Sequence, residues 1–259
     1  MMPLILFIND KPSNINDILV NKDCLIKPFK ETNLYEIYIN NQPVNWLIKT
    51  YKDEKYAKRE ANILTQLEDV KGVPRLFALG TSTLFSYIIL SKFEGKEMFE
   101  YRCTFKEAVL KDVARQLLKI LSVIHSKNLS HQDIKPENLI YNSQTKQLHL
   151  IDFEQKITDG FVPPEFFETD YLKKKFISKE QKYFYEQMWD VWSFGITLFD
   201  IKYGRIPFKN KNEICTKNIS FSEKESPLFV DFIQRSLEKD KNNRATAEFL
   251  LNHEWLSVE

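Results

Sequence analysis

His131-Gln-Asp-Ile-Lys-Pro-Glu-Asn138, followed by Leu148-His-Leu-Ile-Asp152-Phe153, is the part of the chain whose reading decides the rest. The first segment packs two acids, a lysine and an amide into eight residues, and the second ends an apolar run on a carboxylate. Phosphoryl transfer asks little covalent chemistry of a protein. It needs metal ions against phosphate charge, a group that orients the attacking hydroxyl, and a cation on the phosphate oxygens. Asp152 and Asn138 offer oxygen ligands suited to Mg²⁺, a hard cation. Asp133 can accept a hydroxyl proton, and Lys135 can stabilise charge on a transferred group.

Upstream, residues 24–29, 34–39 and 44–51 read as strands, with Asn40-Asn41 turning between the last two. Residues 54–68 read as a helix with Ala57, Ala61, Leu64 and Leu67 on one stripe. Gly72-Val-Pro74 interrupts it, two further strands follow near 76–79 and 85–90, and Gly95 marks a break. Thr104-Phe-Lys-Glu107 has the form of a capping box. Phe105, Val109, Val113, Leu117 and Leu121 then mark a core-facing helical stripe. Short strands near 139–141 and 148–151 flank a polar turn. Residues 188–201 are apolar almost all round, as in a buried helix. Amphipathic helices are expected near 226–238 and 245–252. A strand-rich first third and a helix-rich remainder predict an α+β protein with its site between the two parts.

The bulk numbers narrow the class. A length of 259 residues suits two lobes better than one core. With 37 basic and 36 acidic residues, net charge is +1, which argues against nucleic acid or an anionic membrane as main partner. Cys24, Cys103 and Cys215 are scattered and odd in number, so free thiols in a reducing, cytoplasmic setting are expected, without metal-ligand spacing. The apolar run at 3–8 is too short for a signal peptide or a membrane span and reads as a strand.

The pattern His131-x-Asp133-x-Lys135-x-x-Asn138, followed by Asp152-Phe153, resembles the catalytic loop and metal-binding motif of the eukaryotic protein kinases, in their serine/threonine form. Trp46-Leu-Ile-Lys49 resembles the strand whose lysine holds the α- and β-phosphates, with Glu60 on the next helix as its ion-pair partner. Residues 87–101 resemble the strand and hinge that receive adenine, with Leu90 as gatekeeper. Pro163-Pro-Glu165 stands where the family has Ala-Pro-Glu. Asp190-Val-Trp-Ser-Phe-Gly195 resembles the buried helix whose aspartate braces the catalytic loop, and Arg244 is expected to pair with Glu165.

The resemblance implies a bilobal α+β fold filling residues 1–259, a small β-rich lobe over about 1–93 with one regulatory helix, and a larger helical lobe over about 94–259. It implies ATP and Mg²⁺, or Mn²⁺, as cofactors and a protein bearing a Ser or Thr acceptor as substrate. Asp133, Lys135, Asn138, Asp152, Lys49 and Glu60 would carry catalysis, with Asn138 and Asp152 on the metal. Lys49, Phe29, Ile37, Leu47, Leu90, Ser91, Phe93, Glu97, Ile140 and Ile151 would hold the nucleotide.

Several positions depart from the family. Counting back from Ile37, in the place of the family's valine, the three phosphate-loop glycines become Lys30, Thr32 and Tyr35. Glycine serves there because backbone must approach phosphate closely. Leu47 replaces a small alanine over the adenine, and Glu154 replaces the glycine after Asp152-Phe153. Thr158, in the place of the threonine that contacts Asp133 and Lys135, follows Glu154 after three residues, so the activation segment is very short. Gln132 stands in place of the arginine that reads an activation-loop phosphate, and the two departures agree: no phosphorylation switch of that type is expected. Extra residues between Glu165 and Asp190 include a basic run at 173–176. Two readings stay open, an active kinase with little regulation and a pseudokinase serving as a binding or scaffold protein. A small-molecule kinase is disfavoured by Glu165, Asp190 and Arg244.

Overall fold

The structure, a computed structural model, describes residues 24–29, 33–81, 85–168 and 178–257. The expected strand at 3–8, Lys30, Thr32 and the basic run at 173–176 lie outside these residues. Contacts divide the chain into two compact units. One contains the chain up to Asp69 together with Val73–Glu94, and the other Val70–Gly72 and the chain from Gly95 onward.

The first unit is an antiparallel sheet of order β1-β2-β3-β5-β4, built from β1 (Cys24–Pro28), β2 (Leu34–Ile39), β3 (Gln42–Tyr51), β4 (Leu76–Thr81) and β5 (Ser86–Ser91). Asn40 and Asn41 both have positive φ, 50° and 61°, and close a two-residue hairpin that pairs Ile39 with Gln42. Asparagine tolerates that left-handed backbone better than most residues, which is why this turn is readable from the sequence.

Alternation along the strands sorts the side chains into two faces. Ile37, Ile48, Ala78, Tyr87 and Ile89 form a buried cluster on one, with Tyr35, Trp46 and Phe77 packed against it. The cross-strand partners Glu36 and Leu47, and Leu47 and Leu90, lie on the other, with Lys49 and Tyr51. This corrects one expectation. Ile37, placed by the motif count with the nucleotide contacts, is wholly buried on the face opposite Lys49 and Leu47. Glu36 occupies the position across from Leu47 instead. Helix α1 (Glu54–Gln66) packs on the sheet through Ala57, Glu60, Ala61, Ile63 and Leu64, and starts where the Asp53 carboxylate accepts from the Lys55 amide at 2.8 Å.

The second unit begins with a small antiparallel sheet, β6 (Lys96–Glu97), β7 (Leu139–Asn142) and β8 (Gln147–Leu150). Gly95, at φ 138°, admits the chain to it. A Cβ there would lie 2.5 Å from the Tyr141 carbonyl oxygen.

Helix α2 (Glu107–Ser126) buries Leu110, Val113, Leu117, Leu121 and Ile124. Val109 is half-buried and Phe105 precedes the helix, because successive i+4 steps drift about 40° around a 3.6-residue turn. The expected capping box does not form. The Thr104 hydroxyl donates to the Tyr101 carbonyl at 2.6 Å, and the Glu107 carboxylate accepts the Trp255 indole N–H at 2.9 Å. Local turn geometry and a distant aromatic donor have outcompeted the helix end for both groups.

Helix α3 (Lys179–Tyr203) is buried continuously over residues 188–201, as its apolar run requires. It packs with α5 (Pro227–Ser236) through Gly195, where an added Cβ would lie 2.8 Å from both Leu237 and Ser236 side chains. The short helices α4 (Lys211–Thr216), α6 (Ala247–Leu251) and α7 (Glu254–Ser257) complete the unit. Thr246 caps α6 by accepting from the Phe249 amide. No helix of the described residues is long and apolar enough to cross a membrane.

Candidate active site

The residues singled out by sequence fall into one group in each unit. In the strand unit, Lys49 is buried and its ammonium donates to Glu60 Oε2 at 2.7 Å, joining β3 to α1. The Tyr51 hydroxyl donates to the same oxygen, also at 2.7 Å. Tyr51 belongs to no motif, yet two residues along a strand returns a side chain to the same face, so the sequence did contain the signal for it. Two donors on one carboxylate oxygen satisfy Glu60 and fix the lysine in place, as a buried charge pair requires.

In the helical unit, the segment 130–138 leaves α2 and is held by the buried α3. Asp190 accepts the backbone amides of His131 (2.8 Å) and Gln132 (2.7 Å), and His125 Nε2 at 2.9 Å. Thr197 on the same helix donates to the Ile134 carbonyl, and Ser193 to that of Phe161. The bracing role expected of Asp190 is therefore extended by Thr197, a hydroxyl that no motif flags. His131 is fully buried. Its Nε2 faces the Ile151 carbonyl at 3.0 Å and its Nδ1 receives the Asp133 amide at 3.2 Å, so the proton sits on Nε2. Its ring packs edge-on against Phe153, with centroids 4.6 Å apart.

Three polar side chains then close on Asp133, which is 2% exposed. Asn138 Nδ2 donates to the Asp133 carbonyl (2.8 Å) and to Oδ2 (2.9 Å), while Lys135 Nζ lies 2.9 Å from Oδ2. Lys135 also donates to the Thr158 hydroxyl at 2.8 Å, and that hydroxyl donates to Asp133 Oδ1 at 2.5 Å. The lysine donation orders the chain of protons, since the threonine oxygen accepts from the ammonium and its own proton must go to the aspartate. Both amide protons of Asn138 are directed at Asp133, which leaves Oδ1 to accept from elsewhere or to ligate a cation.

Asp152 follows β8 with φ 66°, a left-handed backbone that aspartate, like asparagine, tolerates better than most non-glycine residues. Lys156 lies 3.7 Å from its Oδ2 and 2.8 Å from Glu154 Oε2. Between Asp152 and Thr158 a neutral group ties the segment to the 130–138 loop: Gln155 donates to the Ser130 carbonyl at 3.1 Å, while within that loop Gln132 donates to the Ser130 hydroxyl at 2.8 Å.

Below the site, Arg244 and Glu165 form a bidentate pair at 2.7 and 2.9 Å, as the sequence leads one to expect. Arg244 also donates to the carbonyls of Met188 and Glu238, each at 2.8 Å.

Of the other nucleotide candidates, Leu90 is buried in β5, with Ser91 ending that strand and Phe93 after it, both half-buried. Phe29, after β1, lies with its ring 5.1 Å from Lys92 Nζ. Glu97 and Ile140 are direct cross-strand partners in the second unit, and the Ile151 amide donates to the Asn138 carbonyl at 2.9 Å. The oxygen-only donor set of Asn138 and Asp152 fits a hard divalent cation.

Residues 44–256 match the protein kinase domain family model. The chain is 28% identical to rat (Rattus norvegicus) myosin light chain kinase 3 over 235 residues, covering 81% of this chain and 28% of that protein. It is 28% identical to Aurora kinase of Dictyostelium discoideum over 220 residues, 81% of this chain and 56% of that protein. Rice (Oryza sativa subsp. japonica) calcium-dependent protein kinase 10 is 26% identical over 232 residues, 81% and 37% respectively. The chain thus spans from about a quarter to just over half the length of these relatives.

Proposed function

Because the chain belongs to the protein kinase domain family, we propose that it transfers the γ-phosphoryl group of ATP, with Mg²⁺ or Mn²⁺, to Ser or Thr hydroxyls of protein substrates without prior phosphorylation of its activation segment. We read the whole chain, 1–259, as this one domain, acting in a reducing compartment where Cys103 and Cys215 stay free. The observation that carries the reading is the closed circuit Lys135–Thr158–Asp133–Asn138.

Bound nucleotide and metal supply the activated phosphoryl group and neutralise its charge. Asn138 Oδ1 and the Asp152 carboxylate would hold the metal, and Lys49, steadied by Glu60 and Tyr51, would hold phosphate oxygens. Asp133 has carboxylate lone pairs beyond those engaged by Thr158, Asn138 and Lys135, so it can accept the acceptor hydroxyl's proton and orient its oxygen. Lys135, beside that carboxylate, can meet the charge of the group in flight. The neutral bond from Gln155 to the Ser130 carbonyl holds the segment without a phosphate, which supports activity free of that switch.

One observation favours a second reading. The Lys156 ammonium lies against both Asp152 and Glu154, a resident cation beside a carboxylate expected to take metal, as a nucleotide-independent scaffold would have.

The test is transfer of radiolabelled phosphate to a generic basic protein with Mg²⁺ or Mn²⁺, comparing the wild type with Asp152→Asn and Lys49→Met. Incorporation that both substitutions abolish, and that phosphatase pretreatment of the chain leaves unchanged, is the expected result. Absence of incorporation, with no thermal shift on adding nucleotide, would move the assignment to the scaffold.

A further inference from the structure

The face of the sheet that carries Lys49 and Leu47 also carries a charged pair that belongs to no motif. Glu36 lies directly across from Leu47 in β2, and Lys92 follows β5, its amide donating to the Asn45 carbonyl of β3. Their side chains form a salt bridge, Lys92 Nζ to Glu36 Oε1, and the Tyr38 hydroxyl donates to the other carboxylate oxygen at 2.9 Å. Strands β2 and β5 are not neighbours, since β3 lies between them. The pair therefore reaches over two strand spacings, about 9.6 Å, and crosses β3 at the level of Asn45 and Leu47.

Lys92 also stands over the Phe29 ring at 5.1 Å. The bridge thus lies among Phe29, Leu47 and Leu90, three of the apolar side chains expected to hold the nucleotide. The two side chains are 25% and 17% exposed, so the pair is partly screened by solvent and can be opened at small cost. The lysine holds the Glu36 carboxyl below the usual carboxylate range.

An apolar base stacks on an apolar face and does not bury an intact ion pair without a cost in solvation. From this we infer that the Glu36–Lys92 bridge is a latch across the base-binding face, which must open before a nucleotide seats and so sets nucleotide affinity in this chain. The inference rests on the proposed nucleotide site. It differs from a simple field effect in a way that can be measured. A latch is released by removing either partner. An electrostatic effect on a polyanion has opposite signs for the acid and the base.

The experiment is isothermal titration calorimetry of the full chain with ATP in magnesium buffer, for the wild type, Glu36→Ala, Lys92→Ala and the exchanged double variant Glu36→Lys/Lys92→Glu. Melting temperatures confirm that each variant folds. The latch predicts that both single variants bind at least about tenfold tighter, or bind where the wild type does not, and that the exchange returns affinity toward the wild-type value. Tighter binding by Glu36→Ala with weaker binding by Lys92→Ala, or no change in either, overturns it. Phosphate transfer by a wild type whose single variants bind ATP unchanged removes the latch and keeps the kinase. Tightening in variants that never transfer phosphate keeps the latch and removes the kinase.

Discussion

In the helical unit, Arg244 meets Glu165 through two short bonds and donates to backbone carbonyls besides, while Asp190 holds two backbone amides and an imidazole. In the strand unit, Glu60 receives Lys49 and Tyr51 at the foot of the sheet, and on the same face the Glu36–Lys92 pair remains partly open to solvent. Each unit contains a buried ion pair, Lys49–Glu60 and Glu165–Arg244, but the Glu36–Lys92 pair on the sheet face differs from both in its energetics. A fully buried pair is retained because losing one partner strands the other charge, at about 3–5 kcal/mol, whereas a solvent-touched pair is commonly worth 0–1 kcal/mol. The helical unit therefore positions Asp133 by interactions that tolerate little change. The strand unit offers a face that can be altered without unfolding the sheet.

The largest effect that would test this contrast is Arg244→Met. It leaves Glu165 buried and unpaired, and we expect a loss of about 3–5 kcal/mol in urea unfolding followed by tryptophan fluorescence. A loss under about 1 kcal/mol would place the helical unit's ion pairs on the footing of surface ones and dissolve the contrast.

Asp190→Asn should act next. The new amide turns a donor toward a site built from donors, leaving one of the His131 or Gln132 amides without its acceptor, at about 1–3 kcal/mol. Hydrogen exchange should quicken at those two amides while the strand unit keeps its wild-type protection. Equal acceleration in both units would show that they are coupled more tightly than their separate cores imply.

The smallest effect sharpens the picture through pH. Lys239 donates to the Ile214 carbonyl and stands over the Phe208 ring at 4.2 Å, yet burial outweighs these contacts and lowers its ammonium pKa from 10.5 to about 8. Between those two values the unfolded chain binds more protons than the folded one, so this group's contribution to stability rises with pH across the window. Below about pH 8 its cost is fully present. Comparing wild type with Lys239→Met by urea unfolding at pH 7.5 and pH 10 should show the difference moving in favour of the wild type at the higher pH. A difference that stays flat would mean that the ammonium is solvated in the fold.

What the sequence made legible follows the reach of its signals. Left-handed asparagines at 40 and 41, the apolar run over 188–201 and the spacing from Asp133 to Asn138 each report on structure within a few residues of themselves, and each appears where expected. The long-range pairs Lys49–Glu60 and Glu165–Arg244 were legible through resemblance, not spacing. Two local readings failed for nonlocal reasons. Glu107 was claimed by Trp255, 148 positions away, and Ile37 missed its assigned face because a motif count cannot see strand register, where one residue's slip reverses the side chain. The Glu36–Lys92 bridge had no sequence signal, since it joins strands separated by a third.

The short segment from Asp152 to Thr158 carries one more consequence. Thr158 already sits on Asp133, and Gln155 is already tied to Ser130. The entropy of ordering this segment is thus met as these contacts form on folding. On the proposed function, this segment would stand ready in every folded copy of the domain, and a mark placed on it would find nothing left to arrange.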